Sequence, residues 1–126
     1  MRTKFDISQP VIIVPVTVEA NGKSSDFEFV VGTGSADILI SENAMKAMGY
    51  TPADSIEEVP MRNGIAYRYI INSITALGIT RRNIKVLSYK MPSGSGANGL
   101  LGLDFFENTR LTINLKKGEI MVEEKE

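Results

Sequence analysis

The stretch that decides the fold runs from Phe27 to Tyr50 and reads Phe-Glu-Phe-Val-Val-Gly-Thr-Gly-Ser-Ala-Asp-Ile-Leu-Ile-Ser-Glu-Asn-Ala-Met-Lys-Ala-Met-Gly-Tyr. An apolar strand enters a Gly-Thr-Gly turn at 32–34, and a second apolar run leaves it. Ser41 then predicts the N-cap of a short helix, and Gly49 predicts its end. We therefore expect a unit of strand, turn, strand and helix, to which the rest of the chain can be related.

Short extended segments surround this unit. Asn21-Gly22 predicts a tight turn, and Asn63-Gly64 predicts the tip of a hairpin. A charged turn is expected at 80–83 and a second short helix from Asp104 to Asn108. Strands are predicted at 11–19, 26–31, 37–40, 67–77, 84–89, 111–115 and 119–123. Short strands without long helices indicate a mostly β fold, antiparallel and closed or nearly closed into a barrel or sandwich.

The length and composition fit one soluble globular domain. The chain has 126 residues, with 43% hydrophobic and 23% charged residues, so we expect a single domain over 1–126. Residues 1–10 are interpreted as a polar lead-in and 123–126 as an acidic tail. No apolar run is long enough to span a membrane, and the first residues lack the apolar centre of a signal peptide. We expect a cytoplasmic location and no membrane partner.

Missing residue types exclude several kinds of chemistry. The chain has no Cys and no His, so it cannot form a disulfide, a zinc site of the usual ligands, a Cys nucleophile or a Ser-His-Asp triad. We predict no metal and no other cofactor. The formal net charge of −1 and the absence of a long basic run make nucleic acid an unsuitable partner. The densest basic cluster, Arg81, Arg82 and Lys85, is interpreted as a solvated turn.

One glycine-rich motif competes with this interpretation. Residues 94–99 have the glycine spacing of a dinucleotide-binding loop, and Glu119 follows at a suitable distance. Such a loop must open directly onto a helix that aims its N-terminus at the pyrophosphate. Here Leu100-Leu101-Gly102 intervenes, and only a very short helix is predicted afterwards. We therefore reject a nucleotide site.

Four motifs follow one another along the chain. They are Phe-Val-Val-x-Thr-Gly-Ser-Ala at 29–36, Ile-Leu-Ile-Ser at 38–41, the hairpin at 63–64 and Gly-Leu-Leu-Gly-Leu-Asp-Phe-Phe at 99–106. Their order resembles that of the retropepsin-like aspartic proteases, the single-domain, dimer-forming relatives of the pepsin lobe. The resemblance extends over about residues 11–122, and the two signatures in this order are more specific than either alone. It implies a closed antiparallel barrel of the acid-protease type with one or two short helices.

The resemblance also implies roles for individual positions. The family's catalytic motif is Asp-Thr-Gly, which matches Gly32, Thr33 and Gly34 with Gly in place of the Asp. The family's second signature matches Leu100, Leu101 and Gly102, and in the family it packs beneath the catalytic loop. The flap, which closes over an extended peptide substrate, matches the hairpin tip. The residues of that tip are Arg62, Asn63, Gly64 and Ile65.

The missing carboxylate bears directly on activity. Hydrolysis by this class needs two carboxylates that share one proton, and a symmetric homodimer supplies one from each chain. Gly32 has no side chain to act as the base, and Asp37, the nearest Asp, is interpreted as a surface or hydrogen-bonding residue on the next strand. The resemblance thus implies an aspartic endopeptidase that is inactivated at one residue, by engineering or by natural change.

An alternative function remains open at this point. The same fold can serve as a natural non-catalytic module that binds a peptide or dimerises, because strand pairing with an extended peptide needs no carboxylate. Tyr67 and Tyr69 are candidates to line the cleft, although alternation along the strand equally fits cross-strand packing, which we favour. Both hypotheses predict a peptide partner and a homodimer.

Overall fold

Strands dominate the structure, a computed structural model that describes residues 1–90 and 97–124. Within those residues the strands are β1 (Arg2–Lys4), β2 (Ile13–Ala20), β3 (Lys23–Val31), β4 (Leu39–Ser41), β5 (Glu57–Met61), β6 (Gly64–Ala76), β7 (Ile79–Tyr89), β8 (Gly99–Leu101), β9 (Thr109–Asn114) and β10 (Glu119–Glu124). The helix α1 spans Glu42–Ala47, and Pro52–Asp54 forms a 3-10 turn. The predicted mostly β class is confirmed. The start of the rejected glycine motif, at 94–96, and the end of the tail, at 125–126, lie outside the described residues.

A closed barrel of six strands forms the body of the protein. The strands follow the order β2, β3, β8, β4, β7 and β6, and β2 closes the barrel by pairing with β6. The β5 strand continues beyond β6 as one arm of a hairpin. The pairings β3–β8 and β4–β7 are parallel, so the predicted antiparallel arrangement holds for the remaining pairs of the barrel.

The first hairpin follows its sequence signals. Asn21 and Gly22 adopt φ of 52° and 71°, the left-handed conformations of a two-residue turn between β2 and β3. Val31 donates its backbone N–H to the carbonyl of Ile12. Hydrogen-bonded pairs alternate along an antiparallel ladder, so Pro15, three residues after Ile12, has its backbone nitrogen directed away from β3. The β2–β6 pairing covers only Thr17 to Glu19. The missing N–H of Pro15 therefore costs no hydrogen bond of the ladder.

The helix begins and ends where the sequence predicts. The Ser41 hydroxyl accepts a hydrogen bond of 3.1 Å from the N–H of Ala44, which caps the first turn. Met45 and Met48 are 2% and 1% exposed, and they pack into the barrel core. Gly49 has φ of 92°, so the residue after the helix takes the conformation that favours glycine.

Two turns lie at positions that differ from the predicted ones. Leu77 and Gly78 have φ of 54° and 78° and form the β6–β7 turn, so Thr80 pairs with Thr75. The expected charged turn at 80–83 is therefore part of β7. In the β5–β6 hairpin Met61 pairs with Gly64, which places the tip at 62–63, one residue earlier than predicted.

The predicted second helix at Asp104–Asn108 is wrong, because this segment forms consecutive turns. The carboxylate of Asp104 accepts from the backbone N–H of Ile38, at 3.2 Å, rather than capping a helix. Arg81 donates to the carbonyl oxygens of Phe105, at 2.8 Å, and Glu107, at 2.5 Å. Partners distant in sequence thus bind the carboxylate and carbonyl oxygens that would have capped or formed a local helix. Arg81 is therefore not a solvated turn residue.

The chain termini join a second, smaller sheet. β1 lies inside the expected lead-in and pairs with β10, which pairs on its other side with β9. Glu123 and Glu124, part of the expected acidic tail, end β10. Ile120 and Val122 of this sheet are buried in the same hydrophobic cluster as the barrel. The small sheet therefore covers one side of the core.

We expect Arg81→Ala to lower the free energy of unfolding by about 2 kcal/mol, because it removes two charge-assisted hydrogen bonds to backbone carbonyls. Arg82→Ala is the matched control, since its side chain is exposed on the same strand, and we expect a change within about 0.5 kcal/mol. Urea unfolding measures both. Equal effects of the two substitutions would contradict the role given to Arg81.

We expect the carboxyl group of Asp104 to make the free energy of unfolding depend on pH. Burial raises the pKa of Asp104 above its ordinary value of 3.8, against the lowering effect of the Ile38 and Phe105 backbone N–H groups. Its second carboxylate oxygen has no hydrogen-bond partner among residues 1–90 and 97–124. The folded state then holds the proton more tightly than the unfolded state, so this carboxyl makes stability fall as pH rises above 3.8.

Asp104→Asn removes this titration and keeps an oxygen for the Ile38 N–H. We expect the stability of the Asn variant relative to the unaltered chain to increase with pH across this window and to level off above the raised pKa. Urea unfolding at a series of pH values measures the difference. A difference that is constant with pH, or that decreases as pH rises, would show that the pKa is not raised.

Candidate functional site

The predicted catalytic turn lies where β3 leaves the barrel. The N–H of Gly32 donates to the carbonyl of Leu101, at 2.9 Å, and its own carbonyl accepts from Ser35, at 3.0 Å. Thr33 and Gly34 are exposed at the tip of this turn. The Thr33 hydroxyl has no hydrogen-bond partner within the described part of the chain. The turn therefore presents a free hydroxyl from a backbone that is fixed at its base.

The second predicted segment lies directly against this turn. β8 is parallel to β3 on one side and antiparallel to β4 on the other, with Leu101 fully buried. Beyond it, the N–H groups of Leu103 and Asp104 donate to the carbonyls of Ser35 and Ala36. A Cβ on Gly102 would collide with the carbonyl oxygen of Asp37, so this close approach requires glycine. The structure thus brings 32–34 and 100–102 together.

Gly32 itself is not required by its backbone conformation, since its φ lies outside the left-handed region. Space is the constraint. A Cβ at this position would lie 2.5 Å from Cγ of Leu100 and 2.6 Å from both of its methyl carbons. Leu100 is half-buried, and its isobutyl group occupies the place where a side chain at position 32 would begin. Any such side chain requires Leu100 to change rotamer.

The predicted flap residues form the end of the β5–β6 hairpin. Arg62 and Asn63 are the two tip residues, and Gly64, with φ of 139°, begins β6. Ile65 is 46% exposed. No hydrogen bond or ion pair joins this tip to the turn at 32–34 among the described residues. The structure therefore forms the hairpin without bringing its tip into such contact with the catalytic turn.

The base of this hairpin is linked to the segment after the turn by an arginine that the sequence analysis missed. Arg68 donates from Nε to Glu57, at 3.0 Å, and its guanidinium lies 3.5 Å from Asp37. The Glu57 hydrogen bond, with a smaller contribution from Asp37, raises the pKa of Arg68 further. Asp37 lies in a bend before β4 rather than on the strand, and its carboxylate forms an ion pair with Arg68. The Glu57–Arg68 pairing could have been found from the register of the hairpin.

The described residues offer neither a metal cluster nor a helix that could cross a membrane. No group of three or more acidic residues is placed to hold a metal ion there, in a chain without His or Cys. Within the same residues no helix has the length and apolar character needed to cross a membrane. Gly32 contributes no side chain, so the chemistry available at the turn is that of backbone groups and the Thr33 hydroxyl.

Comparisons with known proteins point in one direction. Residues 16–108 match the family described as "gag-polyprotein putative aspartyl protease". The fold is similar to the crystal structure of a retropepsin-like aspartic protease from Rickettsia conorii, with a TM-score of 0.70 and 18% identity over 97% of this chain and 88% of that one. It is also similar to the retroviral protease-like domain of Ddi1 from Leishmania major, with a TM-score of 0.60 and 14% identity over 90% of this chain and 88% of that one. No curated protein matches the chain in sequence.

The family match covers most of the chain and includes both signature segments. The six-stranded barrel agrees with the fold of these neighbours. On both grounds the chain belongs to the retropepsin-like aspartic protease family.

Proposed function

We propose that this chain is the scaffold of a retropepsin-like aspartic endopeptidase in which Gly32 stands at the position of the catalytic Asp, so that the chain as sequenced does not cleave peptides. The observation that carries the proposal is the backbone hydrogen bond from Gly32 to Leu101, which joins the two signature segments at one point. A carboxylate on residue 32 would project from a turn whose base is fixed by the barrel.

The reaction of the active form follows from the pairing of two such carboxylates. Like charges held close together cannot both ionise, so the pair shares one proton. The ionised member takes a proton from water, the water oxygen attacks the peptide carbonyl, and the protonated member donates to the carbonyl oxygen. The tetrahedral intermediate then collapses and its C–N bond breaks, while the first carboxyl passes its proton to the leaving nitrogen and the second takes back the proton of the diol. Each chain supplies one carboxylate, so a homodimer is required and a single substitution removes both groups.

The exposed turn supports pairing between two chains. Thr33 lies at its tip with a hydroxyl that has no partner among the described residues, and Gly34 beside it leaves open space. In the proposed dimer this hydroxyl bonds across the twofold axis to the turn of the second chain. The peptide substrate lies between the paired turns and the hairpins that end at 62–65, and it is held by backbone hydrogen bonds.

A second candidate function is favoured by Leu100. Its isobutyl group fills the space next to Gly32, so the site is packed for glycine in its present form. A chain that has adapted to glycine would act as a non-catalytic module that binds a peptide or dimerises. Gly32→Asp then gains no activity, and a defined peptide binds equally well with either residue.

We expect Gly32→Asp to create peptide-cleaving activity at acid to neutral pH, because it restores the shared-proton pair. Gly32→Asn is the matched control, since it has nearly the same shape and cannot act as a base. The Asp variant should exceed the Asn variant by about 10²-fold to 10⁴-fold in rate on a peptide library, and a transition-state inhibitor should block it. Each variant is also made with Leu100→Ala, which opens space for the new side chain.

Folding and dimerisation of every variant are checked by circular dichroism and sedimentation. A folded, dimeric Gly32→Asp chain with no more activity than Gly32→Asn, with and without Leu100→Ala, would contradict the catalytic proposal. Calorimetric binding of the same peptide by the Gly and Asp forms would then favour the non-catalytic module.

A further inference from the structure

A second concave site lies between α1, the 3-10 turn and the β6–β7 face of the barrel. It has a volume of about 410 Å³, which is within the range of small-molecule sites. None of its lining residues belongs to the turn at 32–34, the segment 100–102 or the hairpin tip. Its walls include three of the four tyrosines of the chain. These are Tyr50, Tyr67 and Tyr69.

Two hydroxyls of residues that line this cavity lack partners within the described part of the chain. Tyr69 is 3% exposed and Ser88 is 2% exposed, and both line the cavity. Neither side chain has a hydrogen-bond partner among residues 1–90 and 97–124. Among the described residues the one enclosed side-chain atom without a partner is Oδ1 of Asp104, so the hydroxyl oxygens of Tyr69 and Ser88 remain accessible although most of each side chain is buried. The unfilled hydrogen-bonding capacity of these two residues therefore faces the cavity and is available to a ligand.

The charges around the cavity favour a positive ligand. Glu42 lines it, and Asp54 lies in the adjoining 3-10 turn. Burial raises the pKa of Tyr50 and Tyr69, and the negative charge of Asp54 raises both further, with Glu42 adding to the effect on Tyr69. Lys46 also lines the cavity, so its one positive charge stands against the two negative charges of Glu42 and Asp54. The phenols thus stay neutral in a region of negative potential.

The ring geometry completes the recognition chemistry. Tyr50 and Tyr69 pack edge to face with centroids 5.4 Å apart and an angle of 66° between the rings. Both residues line the cavity, and the face of an aromatic ring attracts a cation. A guanidinium group is planar, stacks on aromatic rings and carries five N–H donors for hydroxyl and carboxylate acceptors.

From the cavity, its unpartnered hydroxyls, its aromatic walls and Glu42, we infer that this site binds an organic cation of the guanidinium class. The group stacks against the tyrosine wall of the cavity, donates to Tyr69 and Ser88, and pairs with Glu42. The source is either the arginine side chain of a bound peptide or a free guanidinium compound. The inference is independent of the residue at position 32 and of catalysis.

Tyrosine fluorescence tests the inference, because the chain has no Trp and only Tyr89 among its tyrosines lies outside the cavity lining. At constant ionic strength the probe is N-acetyl-arginine amide, and N-acetyl-citrulline amide is its uncharged analogue of nearly equal shape. We expect a saturable change in tyrosine fluorescence with the arginine probe and none with the citrulline probe. Agmatine, which has the guanidinium without a peptide group, distinguishes a free cation from an arginine in a peptide.

Variants localise the binding. Glu42→Gln and Tyr69→Phe should each weaken the affinity about threefold to tenfold, whereas Tyr89→Phe should not change it. Circular dichroism verifies folding, and the surface substitution Glu42→Gln is decisive if Tyr69→Phe loses stability. Equal responses to arginine and citrulline, no saturable response to either, or unchanged affinity in folded Glu42→Gln would overturn the inference.

Discussion

The insertion of β8 between β3 and β4 is the constraint on which the rest of the structure depends. This three-residue strand pairs in parallel with the end of β3 and antiparallel with β4, so it joins those two strands beside the turn at 32–34. The close approach of Gly102 to the backbone of 35–37 allows Leu103 and Asp104 to bond to that segment. Residues distant in sequence thereby form one rigid base under the exposed turn.

Features with local causes could be predicted from the sequence. The Ser41 hydroxyl caps its helix by accepting from the N–H of Ala44, three residues away, and Asn21-Gly22 carries the positive φ of its own turn, so both appear in the pattern of neighbouring residues. The family and the barrel were also predictable, because the ordered motifs extend along most of the chain. The pairing of the two signature segments followed from that resemblance rather than from propensity.

Features with distant causes could not be predicted. The segment from Asp104 onward has the composition of a short helix, yet Arg81 of β7 and Ile38, just before β4, donate hydrogen bonds to its oxygens. Arg68 joins the hairpin to Asp37 only because β6 passes beside the bend before β4. The tyrosine cavity depends in the same way on α1 meeting the β6–β7 face. The alternation along β6 predicted that Tyr69 packs against its neighbours, but it could not predict that the Tyr69 hydroxyl has no hydrogen-bond partner among the described residues.

The proposed mechanism requires two turns to meet across a twofold axis, because one chain offers a single position for a carboxylate. The chain has no Cys, so Thr33→Cys introduces one thiol at the exposed tip of the turn, and Ser24→Cys introduces one on an exposed surface of β3. The most direct test is mild oxidation followed by non-reducing electrophoresis. The account predicts rapid formation of a disulfide-linked dimer for Thr33→Cys and little for Ser24→Cys. Equal, slow cross-linking of both folded variants would contradict it.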